Sequence, residues 1–473
     1  MTKKDDFQFD NETPAYSNEI PLIKEPEDKG NVGYWLMLLF GIGALLPWNA
    51  ILTALDFFEE KQSRYQPSFV FGFAVNSLLT VVQVIILLYG YKVSYVVRIS
   101  GGFLVIAVLM IILPLTTNYL GSTSGFFTDI GILVIFGAMG GIVQGSVFGL
   151  AGMLPFKYMG AVMFGNGLSG ITLNILRAIT LAAFPPGVEG SNNNFLGSLV
   201  YFILAAIILV IAAIGMVIFM RLPFAQYYVR RATDEKNKTQ KRISGTYNDM
   251  DEQDKSLLSV TNDINKTGHE SDMTPKGDLT KASHQTMSPF MAFLIMVRRS
   301  FLMAWEFLTA ITSVFFVTFI VFPGTSLHTG LHFMDGIDNA SLKGAWSALI
   351  LITVFNVLDT IGRWLAGQKF GQGSDKFVLI LTFVRVIFIA TFLLIALNVS
   401  PAWLFGVDAD WFKLINMILF AFTNGYCSTQ CAIKAPSRAS DDSKESVGTL
   451  IGLFLTLGIF LGSIGAIGMG KIF

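Results

Sequence analysis

Charge is what this chain has least of. Only 14% of its 473 residues are Asp, Glu, Lys or Arg, where a soluble domain carries about 25%. An ordinary water-soluble surface is therefore excluded. The signs balance at 33 basic against 33 acidic residues, so no basic excess points to nucleic acid. Cysteine is nearly absent. Cys427 and Cys431 stand i, i+4 on one expected helix, where a disulfide has poor geometry and a metal would lack ligands. The four histidines, at 269, 284, 328 and 332, fall in expected loops or helix ends. The apolar segments thus hold no His/Asp/Glu cluster and no Ser–His pairing, so the reading is against an enzyme, and no cofactor is expected. A Gly-x4-Gly-Lys-Ser/Thr loop for ATP is missing too. The first thirty residues lack an apolar core and a cleavage site, so the expectation is an uncleaved start with the first apolar helix directing insertion.

What is abundant is apolar length. Hydrophobic residues make up 53% and the mean hydropathy is +0.59. Runs of about 20 apolar residues cross a hydrocarbon layer of about 30 Å as helices, and the chain holds about eleven. Six are expected near Val32–Leu55, Ser68–Gly90, Val97–Thr117, Ile130–Leu154, Tyr158–Phe184 and Leu196–Met220. Five more follow near Arg299–Phe322, Gly344–Ala366, Phe377–Leu397, Trp411–Ile433 and Val447–Met469. The expected organisation is a tail over residues 1–31, a six-helix bundle over 32–220, a linker over 221–290 and a five-helix bundle over 291–473. The linker is rich in Lys, Asp, Ser, Thr and Asn, and a segment with so little apolar surface is expected to be disordered. Basic residues (Lys92, Lys157, the linker, Lys369, Lys376, Lys434, Arg438 and Lys444) gather on the side of the N-terminus. Glu59, Glu60, Glu189, Asp335, Asp338 and Asp408 gather on the other. The positive-inside rule then places the N-terminus in the cytoplasm and, with an odd helix count, the C-terminus outside. The sequon at Asn339 falls outside and is a glycosylation candidate, while those at Asn237 and Asn265 fall inside.

Ionisable side chains inside apolar helices are expensive, and they usually mark a pathway for something polar. Asp359 and Arg363 stand one turn apart in a stretch otherwise apolar from Ala345 to Ala366. They read either as a substrate site or as an intrahelical ion pair that only stabilises the bundle. In the first helix, Pro47 frees backbone groups that protein or a cavity must satisfy, with Trp48, Asn49 and Leu52 following. That motif reads either as a kink with an interface tryptophan or as an aromatic platform beside a cavity. Glycine runs at 140–152 and 165–170 suit close helix packing. Gln144 among them carries an amide able to donate to and accept from a ligand. Arg177, Arg385 and Glu306 are further polar groups at membrane depth, to be weighed between gating and structural roles. Glu306 reads either as a proton site, if transport is coupled, or as a residue near the helix end, paired or in water.

Taken in order, these segments resemble the equilibrative nucleoside transporter family. The resemblance rests on Pro47-Trp48-Asn49, on Gln144-Gly145-Ser146-Val147-Phe148-Gly149, on Phe355 to Arg363, and on Phe422-Thr423-Asn424-Gly425-Tyr426. Departures are Asn166 where the family often has Gln, and Ala435 before Pro436 where it usually has Gly. The resemblance implies an all-α, two-bundle carrier in a 6+5 arrangement similar to the major facilitator fold. Its expected action is facilitative transport of nucleosides, and of nucleobases as an extension, by alternating access. Trp48, Asn49, Leu52, Gln144, Asp359, Arg363 and Asn424 would bind the substrate. Proton-coupled transport, or a carrier of another polar solute on the same fold, is the alternative. The partners expected are a small-molecule substrate and the lipid bilayer, with no nucleic acid. The plasma membrane is the default address. An acidic dileucine at Asp254-Lys255-Ser256-Leu257-Leu258 keeps an endolysosomal membrane open.

Overall fold

A computed structural model of the chain describes residues 26–65, 67–185, 192–244, 289–328, 330–399, 402–405 and 409–472. Every long regular element among them is helical. The first group comprises α1 (Val32–Thr53), the short α2 (Leu55–Gln62), α3 (Pro67–Tyr89), α4 (Tyr95–Tyr119), α5 (Ser122–Met153), α6 (Phe156–Ala183) and α7 (Asn193–Phe219). A polar helix, α8 (Pro223–Ser244), follows. The second group comprises α9 (Pro289–Val321), α10 (Ala340–Gly367), α11 (Asp375–Val384), α12 (Ile387–Ala396), α13 (Asp410–Ser437) and α14 (Lys444–Met469). The tail up to residue 25, the dileucine, Asn265, His269, His284, Glu189 and Asp408 lie outside the described residues.

Ten spans among the described residues are long and apolar enough to cross a membrane. The eleventh expected span is α13, which has the length but not the apolarity. Its polar side chains are turned inward, with Asn416, Asn424, Ser428, Thr429 and Gln430 all buried. An apolar count therefore understates a helix whose polar groups meet protein rather than lipid. The span expected over Phe377–Leu397 is divided into α11 and α12. At the joint, Val386 N–H bonds the Phe383 carbonyl and Phe388 N–H the Arg385 carbonyl, a tighter i, i+3 pattern. No proline is involved.

The two groups meet along seams of small residues. α6 and α10 run antiparallel, since Asn174 Nδ2 donates to Thr353 Oγ1 at 3.1 Å while Gly167, nearer the start of α6, faces Thr360, farther along α10. A Cβ at Gly167 would lie 2.6 Å from Thr360 Oγ1, so only a residue without a side chain allows that approach. On the opposite side, α14 packs on α3 and α5. There Thr456 Oγ1 donates to Gln83 Oε1 at 2.7 Å.

Residues 221–290 were expected to be disordered from the start, but 223–244 form α8. The apolar surface that anchors it is small and concentrated in one turn, where Phe224, Ala225 and Tyr228 are buried. The Phe224 ring lies 4.9 Å from that of Tyr158. Charges secure the rest of α8 to the second group. Arg231 Nη2 donates to Asp441 Oδ2 at 2.6 Å, and Lys236 Nζ to Glu445 Oε2 at 2.8 Å. A hydrogen bond from Lys444 holds the Asp441 carboxyl below its ordinary value. Its share of the docking is thus present above roughly pH 4 and lost as pH falls through the lowered value. Asp441→Asn is expected to cost at most about 1 kcal/mol, because both partners of the Arg231 pair are half exposed. Phe224→Ala is expected to cost about 3–5 kcal/mol. Thermal melts of the two variants check the ordering.

Candidate functional site

Asp359 and Arg363 face one another within α10, as the i, i+4 spacing requires. Arg363 Nε donates to Asp359 Oδ2 at 2.6 Å and Nη2 to Oδ1 at 3.3 Å. The side chains are only 3% and 6% exposed for Arg363 and Asp359. Such a pair, away from water, needs its remaining lone pairs and protons satisfied. The carboxylate gets a third donor from α13, where Asn424 Nδ2 reaches Asp359 Oδ1 at 2.6 Å. That reach depends on the next residue. A Cβ at Gly425 would run into the Asp359 carbonyl oxygen, so glycine there sets how closely α13 lies on α10.

The other side of Asn424 continues the chain of bonds. Its Oδ1 accepts from Thr318 Oγ1 of α9 at 2.7 Å and from Arg385 Nη2 at 3.3 Å. Arg385 sits at the joint between α11 and α12 and is 1% exposed. It also donates to Thr318 Oγ1 at 2.8 Å, to the Phe420 carbonyl at 2.8 Å and to Thr423 Oγ1 at 2.5 Å. Its guanidinium carbon lies 5.1 Å from the Phe420 ring centre, a cation–π contact that offsets some lost hydration. Three predicted residues, Asp359, Arg363 and Asn424, thus come together, with Arg385 linked behind them.

One donor in this assembly is weakly held. Arg363 Nη1 faces the Met163 thioether of α6 at 3.9 Å, and sulfur is a poor acceptor. Thr318 and Met163 were not singled out from sequence. A hydroxyl and a thioether within apolar helices carry no pattern that marks them.

The first-group residues are placed differently. Gln144 on α5 is 4% exposed, and its amide has no hydrogen-bond partner among the described residues. Trp48 is half buried, its ring centre 6.2 Å from that of Phe319 on α9. Asn49 Nδ2 donates to Ser169 Oγ at 2.7 Å, and so braces α1 on α6. Leu52 enters an apolar cluster otherwise drawn mainly from the second group, including Val317, Phe322, Ile352 and Phe355. This contact closes the two groups together at the end where α1 finishes.

Of the remaining polar groups, Arg177 lies toward the end of α6, whereas Glu306 stands midway along α9. Arg177 is ion-paired with Asp56 at the start of α2, a partner the sequence reading did not single out. Glu306 pairs with Arg438 at 2.7 Å, with both side chains more than a third exposed. Asn339 caps α10, its Oδ1 accepting from Leu342 N–H at 3.1 Å. Asp129 was also missed. It is fully buried and accepts from Gln62, Thr116 and Thr117 at 2.7, 2.6 and 2.7 Å.

Comparison with known proteins gives one consistent family. The sequence model of the family described as "Nucleoside transporter" matches residues 130–469. The chain is 25% identical over 444 residues to equilibrative nucleotide transporter 8 of Arabidopsis thaliana, covering 93% of this chain and 95% of that protein. It is 25% identical over 487 residues to equilibrative nucleoside transporter 1 of Homo sapiens, covering 93% and 97%. With equilibrative nucleoside transporter 2 of Rattus norvegicus the identity is 26% over 468 residues, covering 93% and 96%. Among solved structures, a proton:xylose symporter of the major facilitator superfamily superposes with a TM-score of 0.56 at 13% identity, over 94% of this chain and 90% of that one. That likeness establishes the fold.

Proposed function

Because the chain belongs to the nucleoside transporter family, we propose that it carries nucleosides across a membrane by facilitated diffusion, with Asp359 and Arg363 at the centre of its site. The observation that carries this reading is the buried pair itself, braced by Asn424 and leaving Arg363 Nη1 against a thioether. A ligand with a better acceptor displaces that sulfur contact at little cost. A nucleobase carbonyl or ring nitrogen is such an acceptor, planar and suited to the guanidinium fork. The carboxylate accepts from ribose hydroxyls. Gln144, with no protein partner, supplies an amide from the facing group. Trp48 offers an aromatic surface and Asn49 holds α1 in register. Leu52 belongs to the closure rather than to polar recognition.

A nucleoside is neutral at pH 7, so its own gradient is sufficient drive. The two helical groups rock about their seams and expose the site to one side and then the other. Nucleobases fit the same donors without the ribose contacts. The N-terminus is assigned to the cytoplasm from the distribution of basic residues, and the plasma membrane is the default address. The proton-coupled alternative stays open through Asp359, Glu306 or Arg177.

Uptake of radiolabelled adenosine and uridine into proteoliposomes, with and without an inward proton gradient, tests the proposal. Saturable uptake without the gradient is expected. Uptake that needs the gradient overturns facilitated diffusion, and no uptake from folded protein overturns the substrate class. Gln144→Ala is expected to raise KM about tenfold, the equivalent of one lost hydrogen bond to a ligand at about 1.4 kcal/mol. A concentration series on the same vesicles reads it.

A further inference from the structure

A cavity of about 320 Å³ opens between the start of α1, the start of α6 and the end of α10. Its floor is the crossing of Gly160 and Gly367, where the missing side chains leave the space. Two indoles flank it, Trp35 at 62% and Trp364 at 45% exposed. On helices that cross a membrane, such outward-facing aromatics meet lipid near the headgroup level. Its polar groups share one membrane face. Asn31 immediately precedes α1, Lys157 is the second residue of α6, and Gln368 directly follows α10.

The charge balance at this cavity is specific. Lys157 and Arg363 line it, and no carboxylate does. Arg363 is already matched by Asp359, which leaves one net positive charge, on Lys157. Asp28, just before α1, does not line the cavity but lies at its margin, accepting from the Gly33 and Tyr34 N–H groups and the Tyr158 hydroxyl. The positive end of α6, a 28-residue helix, lies at the same place. Acyl chains would run along the exposed apolar flank of α10, past Trp364 and Ile361.

We propose that this cavity binds the headgroup of a singly charged anionic phospholipid. The phosphodiester would sit between the Lys157 ammonium, the Gln368 and Asn31 amides and the first turn of α6, with the indoles of Trp35 and Trp364 against the glycerol region. The binding claim rests on the membrane-spanning fold and does not depend on the substrate. Its place behind Arg363 means that an occupant abuts the pair assigned to transport.

Native mass spectrometry of the detergent-purified chain tests this without reference to uptake. One phosphatidylglycerol per chain is expected to survive conditions that strip phosphatidylcholine. Lys157→Glu should lower the retained fraction about tenfold, while Lys92→Glu, a charge reversal elsewhere, leaves it unchanged. Trp35→Ala, at an exposed position, should also lower retention and serves if the Lys157 variant fails to fold. Equal retention of phosphatidylcholine, or loss no greater in Lys157→Glu and Trp35→Ala than in Lys92→Glu, overturns the proposal. Displacement of the lipid by millimolar inorganic phosphate would also overturn it, by making the site one for a soluble anion.

Discussion

Asp359→Ala is expected to abolish nucleoside uptake and to lower the thermal midpoint of the protein as well. The variant removes the acceptor of two guanidinium bonds and of the Asn424 amide. Arg363 is left as an unpaired cation only 3% exposed, and breaking a buried pair costs about 3–5 kcal/mol. Loss of uptake alone would not separate recognition from folding, so the companion variant matters. Asp359→Ala combined with Arg363→Leu removes the orphaned charge and is expected to recover much of the lost stability. Transport stays absent if the pair touches the substrate. A double variant that regains both stability and uptake would reduce the pair to a structural brace. Uptake assays beside thermal melts of the two variants distinguish these outcomes.

Gly425→Val carries the second large effect, and it arises from geometry rather than charge. A Cβ there collides with the Asp359 carbonyl oxygen and comes within 3.0 Å of the Arg363 nitrogen. Both atoms are backbone, so no rotamer change relieves the contact. α13 must move away from α10, which carries Asn424 off the carboxylate. Overpacking of this kind costs about 1–3 kcal/mol or more, and the displaced amide adds the penalty of an unmet buried group. Severe loss of folded protein on gel filtration is expected. Gly101→Ala meets nothing within 4 Å and is expected to be nearly silent in the same assay.

The helical architecture was legible because lipid demands long apolar runs, and these stand out in a sequence. Legibility ended where a helix meets protein on its polar side. α13 was read among the apolar runs, although Asn416, Asn424 and Gln430 dilute its apolarity, and only their burial accounts for it as a span. α8 was misread for the converse reason: one buried turn at Phe224–Tyr228 orders a helix that is polar elsewhere. Within the candidate site, the Asp359–Arg363 contact follows from local spacing. The Asn424 contact joins residues 65 apart and was approached only through the family resemblance. Arg385 and Thr318 are brought to the same amide by tertiary packing alone, and the break between α11 and α12 has no sequence marker such as proline.

The smooth crossing of α6 on α10 bears on how fast the carrier can cycle. Side chains that interlock must disengage before two helices can roll over each other, and each disengagement adds to an activation barrier. Where Gly167 faces Thr360 there is no protruding group on α6 to lift clear. At that point α6 can move on α10 without a side chain to disengage, and the contacts that must part lie elsewhere. One is that of Leu52 with its apolar cluster, and another is that of α8 with Asp441 and Glu445. The Asn174–Thr353 hydrogen bond across the same two helices is a third, and turnover is expected to slow where any of the three is strengthened.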